Sequence, residues 1–372
     1  MPEFESTRSV DPSGPSDQQG PTQPAALYVS RGVVEVAERP VPVADAGRVV
    51  VEVSHCGICG TDLHLVLEGW GRPGTVGGHE SSGTVVEVGE GVRDWAIGDR
   101  VVAGPNPSCG TCERCEAREP TQCERRDEMF SRGYDGAFTG RVSLDARSVV
   151  RVPDALDLRA AALAEPLAIA LHAITRSHMV VGQSATVFGA GPIGALIIAS
   201  LVAAGHGPIT VIEPGANRQA LAHRLGAATV RHPDEVQTFD ISEPDRIAEH
   251  ATHVVFECSG RRSAMEAGLG LLRRGGTLML VGTGIDPPRF DPNRILLNEV
   301  TVTGAFQYDD GGFEAALELL ASGRLPLEEL IDPIDEPLDR MVGAMEEIVA
   351  GDRAGKVLVV PKASGQRQGG TV

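Results

Sequence analysis

A chain of 372 residues is longer than one hydrophobic core usually serves, so two domains are expected. Hydrophobic residues make up 42% and charged residues 23%, an ordinary soluble globular mixture, and no apolar stretch approaches the length of a membrane span. With 51 acidic residues against 33 Lys and Arg the net charge is −18, which repels phosphate backbones and anionic lipid and argues against nucleic-acid or membrane partners.

Residues 1–24 carry Pro2, Pro12, Pro15, Pro21 and Pro24 among Ser, Gln and Asp and lack the apolar core of a signal peptide, so a disordered N-terminal tail is expected. From Ala25 the pattern turns β-rich: Val33–Val36, Val49–Val53, Thr84–Val88 and Arg100–Val102 are short branched runs broken by Gly and Pro. Between the second and third runs lie Cys59-Gly60-Thr61-Asp62-Leu63-His64 and Gly77-Gly78-His79-Glu80. Cys, His and carboxylate are the ligands of an open zinc site that keeps a position for water or substrate. After the fourth run come Cys109, Cys112, Cys115 and Cys123, spaced C-x2-C-x2-C-x7-C. Four thiolates so close in sequence can close a tetrahedron around one Zn2+, so a lobe over about 104–126 reads as a structural zinc site. The competing reading, two disulfides in a secreted loop, lacks a secretion signal. Seven cysteines, six of them in two clusters, point to reduced thiols serving metal in a cytoplasmic setting.

From about Ala160 the pattern changes to helices alternating with strands, opening with Ala164-Glu165-Pro166-Leu167. Ala185–Phe188 reads as a buried strand, and Gly189-Ala190-Gly191-Pro192-Ile193-Gly194 as the turn into an apolar helix that ends near Gly205. Thr210–Ile212 is the next strand and Asn217–Leu225 a helix stopped by Gly226. His253–Glu257 and Thr277–Val281 are strands around a helix over Ala264–Leu272, Val300–Thr303 closes the set, and Lys356–Val360 is a final strand. Strands separated by helices predict a parallel, doubly wound α/β sheet.

The glycine fingerprint lies between a strand and a helix, the context a dinucleotide needs. Gly189 permits the tight turn, Gly191 lets the backbone approach a pyrophosphate, and Gly194 lets helix and strand pack closely. The helix N-terminus at Pro192 and Ile193 then faces the phosphates. Glu213, at the end of the second strand, is placed to bind both ribose hydroxyls and to repel a 2′-phosphate, which favours NAD over NADP; Arg218 close by softens that preference. Alone, each feature also fits a plain strand–helix turn or a solvated loop acid.

In their order, the C-G-T-D-L-H segment, the G-H-E segment, the four-cysteine lobe, the E-P-L segment and the fingerprint make the chain resemble the zinc-dependent medium-chain alcohol dehydrogenases, in the branch of sorbitol and threonine dehydrogenases. The resemblance runs from about Ala25 to Pro361. It implies a β-rich GroES-like catalytic domain over 25–165 and 307–362, a Rossmann NAD-binding domain over 166–306 and a flexible tail over 363–372. It implies two Zn2+ per chain, one catalytic and one structural, and a homo-oligomer, dimer or tetramer. Cys59 and His79 match the first two catalytic zinc ligands, and Glu80 and Glu165 compete for the next position. Cys56 is then a small buried neighbour. Asp62 matches the acid that orients the ligand His, and Lys356 a basic residue near Glu80 and the cofactor phosphates.

The implied chemistry is hydride transfer between a primary, secondary or cyclic alcohol and NAD, giving aldehyde or ketone. Thr61 accepts the alcohol proton, and His64 exchanges it with solvent; otherwise these are a turn hydroxyl and a surface imidazole. Leu65 and Gln307 stand where polyol dehydrogenases of this branch carry an aromatic hydroxyl and an arginine. With Trp70 near the pocket wall, they suggest a less polar or cyclic alcohol. An aldehyde-processing dehydrogenase or a ketone reductase of the same fold is the alternative, and a non-enzymatic dinucleotide-binding module a distant third.

Overall fold

A computed structural model describes residues 20–103, 108–125, 136–236, 242–308 and 310–361. The tail positions 1–19 and 363–372, and positions 104–107 and 126 of the lobe, lie outside the described residues. A hairpin opens the chain, with β1 (Thr22–Ser30) antiparallel to β2 (Val33–Pro40). Strand β1 corrects the expected tail boundary, because Thr22–Pro24 are already in register with β2. Their side of the hairpin is pinned to the body: Gln23 Nε2 donates to Arg141 O at 2.9 Å and Thr139 Oγ1 to Pro24 O at 3.0 Å. Pro24 is tolerated because the hairpin is a two-stranded edge.

A seven-stranded sheet runs in the order β14 (Glu336–Pro337), β15 (Leu358–Val360), β3 (Arg48–Gly57), β4 (Glu80–Val88), β5 (Arg100–Ala103) and β7 (Val149–Arg151), with β6 (Arg141–Asp145) laid on β3. Apart from the β14–β15 pair it is antiparallel. A second, wholly parallel sheet has the order β10 (Thr229–Arg231), β9 (Ile209–Ile212), β8 (Ala185–Phe188), β11 (Thr252–Glu257), β12 (Leu272–Leu280) and β13 (Thr301–Gly304). The expected strands appear here within a few residues; β12 starts earlier than its apolar run because Leu272 pairs with Thr252 before the register shifts. The direction of winding reverses between β8 and β11, which opens a crevice at the C-terminal end of β8, where the glycine fingerprint follows.

One core cluster joins the helix Ala164–Arg176 to the helix Pro192–Ala203 through Leu167, Ile197 and Ile198, each fully buried and contributing about 1.5–3 kcal/mol. Phe313, Ala316 and Leu320 of the helix Gly312–Ala321 belong to the same cluster. That helix, which the resemblance places with the catalytic part, therefore packs on the cofactor-binding body. A second cluster, with Val49, Val51, Phe138 and Met345, fills the antiparallel sheet and carries the helix Gly60–Leu67 through Val66.

Candidate active site

Local sequence first sets Cys59. It caps the helix Gly60–Leu67 in an extended conformation, and the Asp62 carboxylate reaches back to accept the Cys59 backbone N–H at 2.9 Å. In this capping box Thr61 Oγ1 lies 3.8 Å from Cys59 Sγ. His79 comes from the loop before β4, next to Gly78 at φ +93°, a backbone shape that favours glycine. Glu80 is the first residue of β4, opposite Gly57 of β3; a Cβ on Gly57 would lie 2.1 Å from Glu80 Oε2, so the carboxylate occupies the space a side chain would take. Glu165 projects from the first turn of the helix Ala164–Arg176.

One sulfur, one imidazole nitrogen and one carboxylate oxygen, from Cys59, His79 and Glu80, all lie within 4.8 Å of one another. Lys356, 2% exposed, donates from Nζ to Glu80 Oε1 at 2.6 Å and to Ile58 O at 3.2 Å. Burial alone would discharge this lysine, yet Glu80 and Cys59 outweigh it and raise its pKa. Burial likewise works against a charged His79, and Cys59, Asp62 and Glu165 together hold its pKa well above the usual imidazole value. Glu165 is pushed up to about 7, by burial first and Glu80 next, against the pull of His79 and Lys356. Its Oε2 is buried and accepts no hydrogen bond. A carboxylate oxygen left without a donor beside thiol, imidazole and a second carboxylate suits a divalent metal, and this donor set fits zinc.

Asp62 differs in detail from the reading above. Its hydrogen bond goes to the backbone of Cys59, while its charge acts on His79 through space. Cys56 is fully buried, its thiol pushed far up by burial, as a packing residue should be. His64 lies three residues beyond Thr61 on the same helix, its Nδ1 2.8 Å from Glu68 and its ring stacked on Trp70. Leu65 and Trp70 line a cavity of about 270 Å³ with Tyr28 and Phe138. Gln307 sits in the left-handed region at φ +59°, beside Tyr308, whose ring packs edge-on against Phe313. The nearby charge of Glu165 adds to the burial that raises the Tyr308 pKa. Sequence reasoning missed Glu68 and Tyr308; the i,i+4 spacing of His64 and Glu68 was the available signal.

In the fingerprint, Gly189 takes φ +88°, and a Cβ on Gly194 would lie 1.9 Å from Gly189 O. Gly191 has open space around it and caps the helix Pro192–Ala203, which leaves its N-terminal N–H groups facing the crevice, with Pro192 and Ile193 in the first turn. Glu213, 3% exposed, accepts from Ala190 N at 2.7 Å and Gly215 N at 2.8 Å and is thereby held against the fingerprint turn. Arg218 is engaged elsewhere. Its guanidinium donates to Ile348 O at 2.7 Å and Arg353 O at 3.4 Å, which ties the parallel-sheet body to the helix Met341–Ala350.

In the lobe, the four sulfurs of Cys109, Cys112, Cys115 and Cys123 also lie within 4.8 Å of one another, with Cys112 Sγ 3.5 Å from Cys115 Sγ. No helix among the described residues is long and apolar enough to cross a membrane.

Residues 45–154 match the alcohol dehydrogenase GroES-like domain and residues 192–322 the zinc-binding dehydrogenase domain. The chain belongs to the zinc-dependent medium-chain alcohol dehydrogenase family. It is 32% identical over 341 residues to a 2-dehydro-3-deoxy-L-galactonate 5-dehydrogenase of Pseudoalteromonas atlantica, covering 90% of this chain and 98% of the relative. It is 31% identical over 322 residues to D-xylulose reductase A of Aspergillus oryzae, covering 82% and 88%. The crystal structure of 2R,3R-butanediol dehydrogenase from Bacillus subtilis superposes with a TM-score of 0.79 at 30% identity, covering 91% of this chain and all of the other. This dehydrogenase is thus an oxidoreductase acting on an alcohol, with zinc and a nicotinamide dinucleotide as cofactors.

Proposed function

We propose that the enzyme interconverts a small secondary or cyclic alcohol and its ketone, with NAD as the hydride carrier and two zinc ions per chain. The observation that carries this reading is the convergence of Cys59, His79 and Glu80, with the donorless Oε2 of Glu165, at the N-cap of the helix that bears Thr61 and His64. Cys59, His79 and one or both of Glu80 and Glu165 would hold the catalytic zinc, and the four lobe cysteines the structural one. Bound there, zinc supplies Lewis acidity that makes a hydroxyl acidic near neutral pH, and the dinucleotide supplies the hydride acceptor.

The chain's own residues do the rest. Thr61 Oγ1, exposed beside Cys59, accepts the proton of the substrate hydroxyl, and His64 passes it toward solvent. Lys356 holds Glu80 in place and offsets the negative charge that Cys59, Glu80 and Glu165 accumulate. Glu213 keeps free lone pairs for the ribose hydroxyls after accepting two backbone N–H groups, and its charge opposes a 2′-phosphate. The relatives are named for small hydroxylated carbon chains; Leu65, Trp70 and Gln307 favour a less polar member of that class.

A dimer joined along β13 is supported by that strand's outer edge, which pairs with no strand among the described residues, and by exposed Leu296, Leu297 and Phe306 near it. The seven cysteines, none in a disulfide, support a cytoplasmic setting. Turnover of an alcohol panel running from sorbitol to cyclohexanol, with NAD and NADP compared and zinc counted, tests the reading. Preference for NADP, or full activity with no zinc, defeats it.

A further inference from the structure

Glu68 and Trp70 have no part in the chemistry above, yet both are built onto His64. The helix Gly60–Leu67 ends with Glu68 as its C-cap, one turn beyond His64 on the same face, and the Glu68 carboxylate lies 2.8 Å from His64 Nδ1. Gly69 then takes φ +85°, where a side chain would be strained and its Cβ would meet Arg31 at 3.2 Å. This left-handed residue folds the chain back, so that Trp70 N donates to His64 O at 3.3 Å and Gly71 N to Leu65 O at 2.9 Å. The fold-back lays the indole on the imidazole, with ring centroids 5.0 Å apart and planes 16° from parallel. An ordinary surface ion pair on a helix would leave the ring free to turn about χ2. Here one edge is held in the plane and one face is covered.

We propose that Glu68 is a positioning residue for the proton path, fixing the tautomer and the plane of His64, with Trp70 as the wall on which the ring rests. This rests on the reading of His64 as the relay. A hydrogen bond from Nδ1–H to Glu68 leaves Nε2 as the lone-pair nitrogen, and no protein group among the described residues occupies it. Nε2 therefore takes up the proton delivered from the cofactor side, the ring becomes imidazolium, and the same proton leaves to water. Glu68 accepts from Nδ1–H throughout and keeps the ring in place. It is the charged side chain hydrogen-bonded to the ring; Asp62 and Arg72 line the cavity that Trp70 walls, Arg31 is held on Leu67 O at 3.0 Å, and β2 and the helix Met341–Ala350 meet this helix in an apolar cluster of Val34, Val66 and Met341.

The test compares the pH profiles of kcat for Glu68→Gln and Glu68→Leu, each in the parent enzyme and with His64→Ala, on zinc- and NAD-loaded protein. Glu68→Leu is expected to lower kcat about three- to tenfold near neutral pH, below the roughly 10²-fold floor of direct acid–base catalysis. KM and Tm should stay unchanged, and added imidazole buffer should restore part of the rate. Glu68→Gln, which still accepts from Nδ1–H, should lose less. In the His64→Ala background both substitutions should be silent. Profiles of Glu68→Leu that superpose on the parent, while His64→Ala slows the enzyme, overturn the positioning role and leave the relay standing. Unchanged profiles for His64→Ala overturn the relay, and Glu68 with it.

Discussion

The two clusters of metal-type ligands in this dehydrogenase are built on opposite plans. The lobe takes four identical donors from a stretch of fifteen residues or so, Cys109 to Cys123, and its short helical turns at Glu113–Glu116 and Pro120–Gln122 have no buried apolar core of their own. The other cluster draws a thiol, an imidazole and two carboxylates from a helix cap, a loop, a strand end and a second helix, and buries two of them almost completely. Four like thiolates complete a tetrahedron and leave nothing to react. A mixed set, crowded with unlike charges, retains protons, leaves Glu80 Oε2 and Glu165 Oε2 without a hydrogen-bond donor and faces Thr61. On the proposed reading, local architecture would separate a metal that holds the fold from a metal that does chemistry.

The sharpest way to break this contrast is to remove one sulfur from each cluster. Cys59→Ala should cut turnover by at least about 10³-fold with the chain still folded, and no added base should rescue it, because the electrophile itself is lost. Cys112→Ser should leave turnover per folded molecule near normal. Equal losses of kcat in the two variants would erase the division. Next in size, Glu213→Ala should weaken NAD binding by about 1.5–3 kcal/mol, the worth of hydrogen bonds to a charged group, and relax discrimination against NADP. Because it touches neither cluster, zinc content should hold; titration calorimetry and metal analysis on one sample check both.

A smaller effect is expected in stability. Cys112→Ser should lower Tm by about 5–10 °C in a thermal scan, since a structural zinc contributes folding free energy. An unchanged Tm would make the lobe dispensable.

The last contrast is in pH. In metal-free protein, the folded pKa of Glu165 is raised from its ordinary 4.5 to about 7, so the folded state holds a proton that the unfolded chain releases. His79, also raised, holds its proton above 6.5. Both contributions are present at low pH and are lost as pH rises through the folded values, so metal-stripped protein should become less stable from about pH 4.5 to 7 as Glu165 ionises, and further where His79 gives up its proton. Zinc displaces those protons, and loading should flatten or reverse the slope. Tm against pH with and without chelator measures it, and a metal-free Tm that rises over that window would refute the electrostatic picture of the mixed cluster.

Much of this was legible without coordinates. The lobe is local: spacing alone brings Cys109, Cys112, Cys115 and Cys123 together, because a chain a few residues long cannot hold them apart. The strand–turn–helix around Gly189, Gly191 and Gly194 is local too, since a tight turn and a close helix–strand approach each demand glycine in one short segment. The mixed cluster was legible only as separate ligands, and which of its carboxylates a lysine holds was not. That depends on Lys356 crossing from the far end of the chain to occupy Glu80, and on Gly57 leaving room for that carboxylate. Proximity in sequence likewise suggested that Arg218 serves the ribose, whereas packing sends its guanidinium to the carbonyls of Ile348 and Arg353. Short-range spacing and backbone sterics therefore determine the lobe and the fingerprint. Long-range packing decides how buried charges are paired, because in a low-dielectric interior a charge takes whichever partner the fold brings within reach.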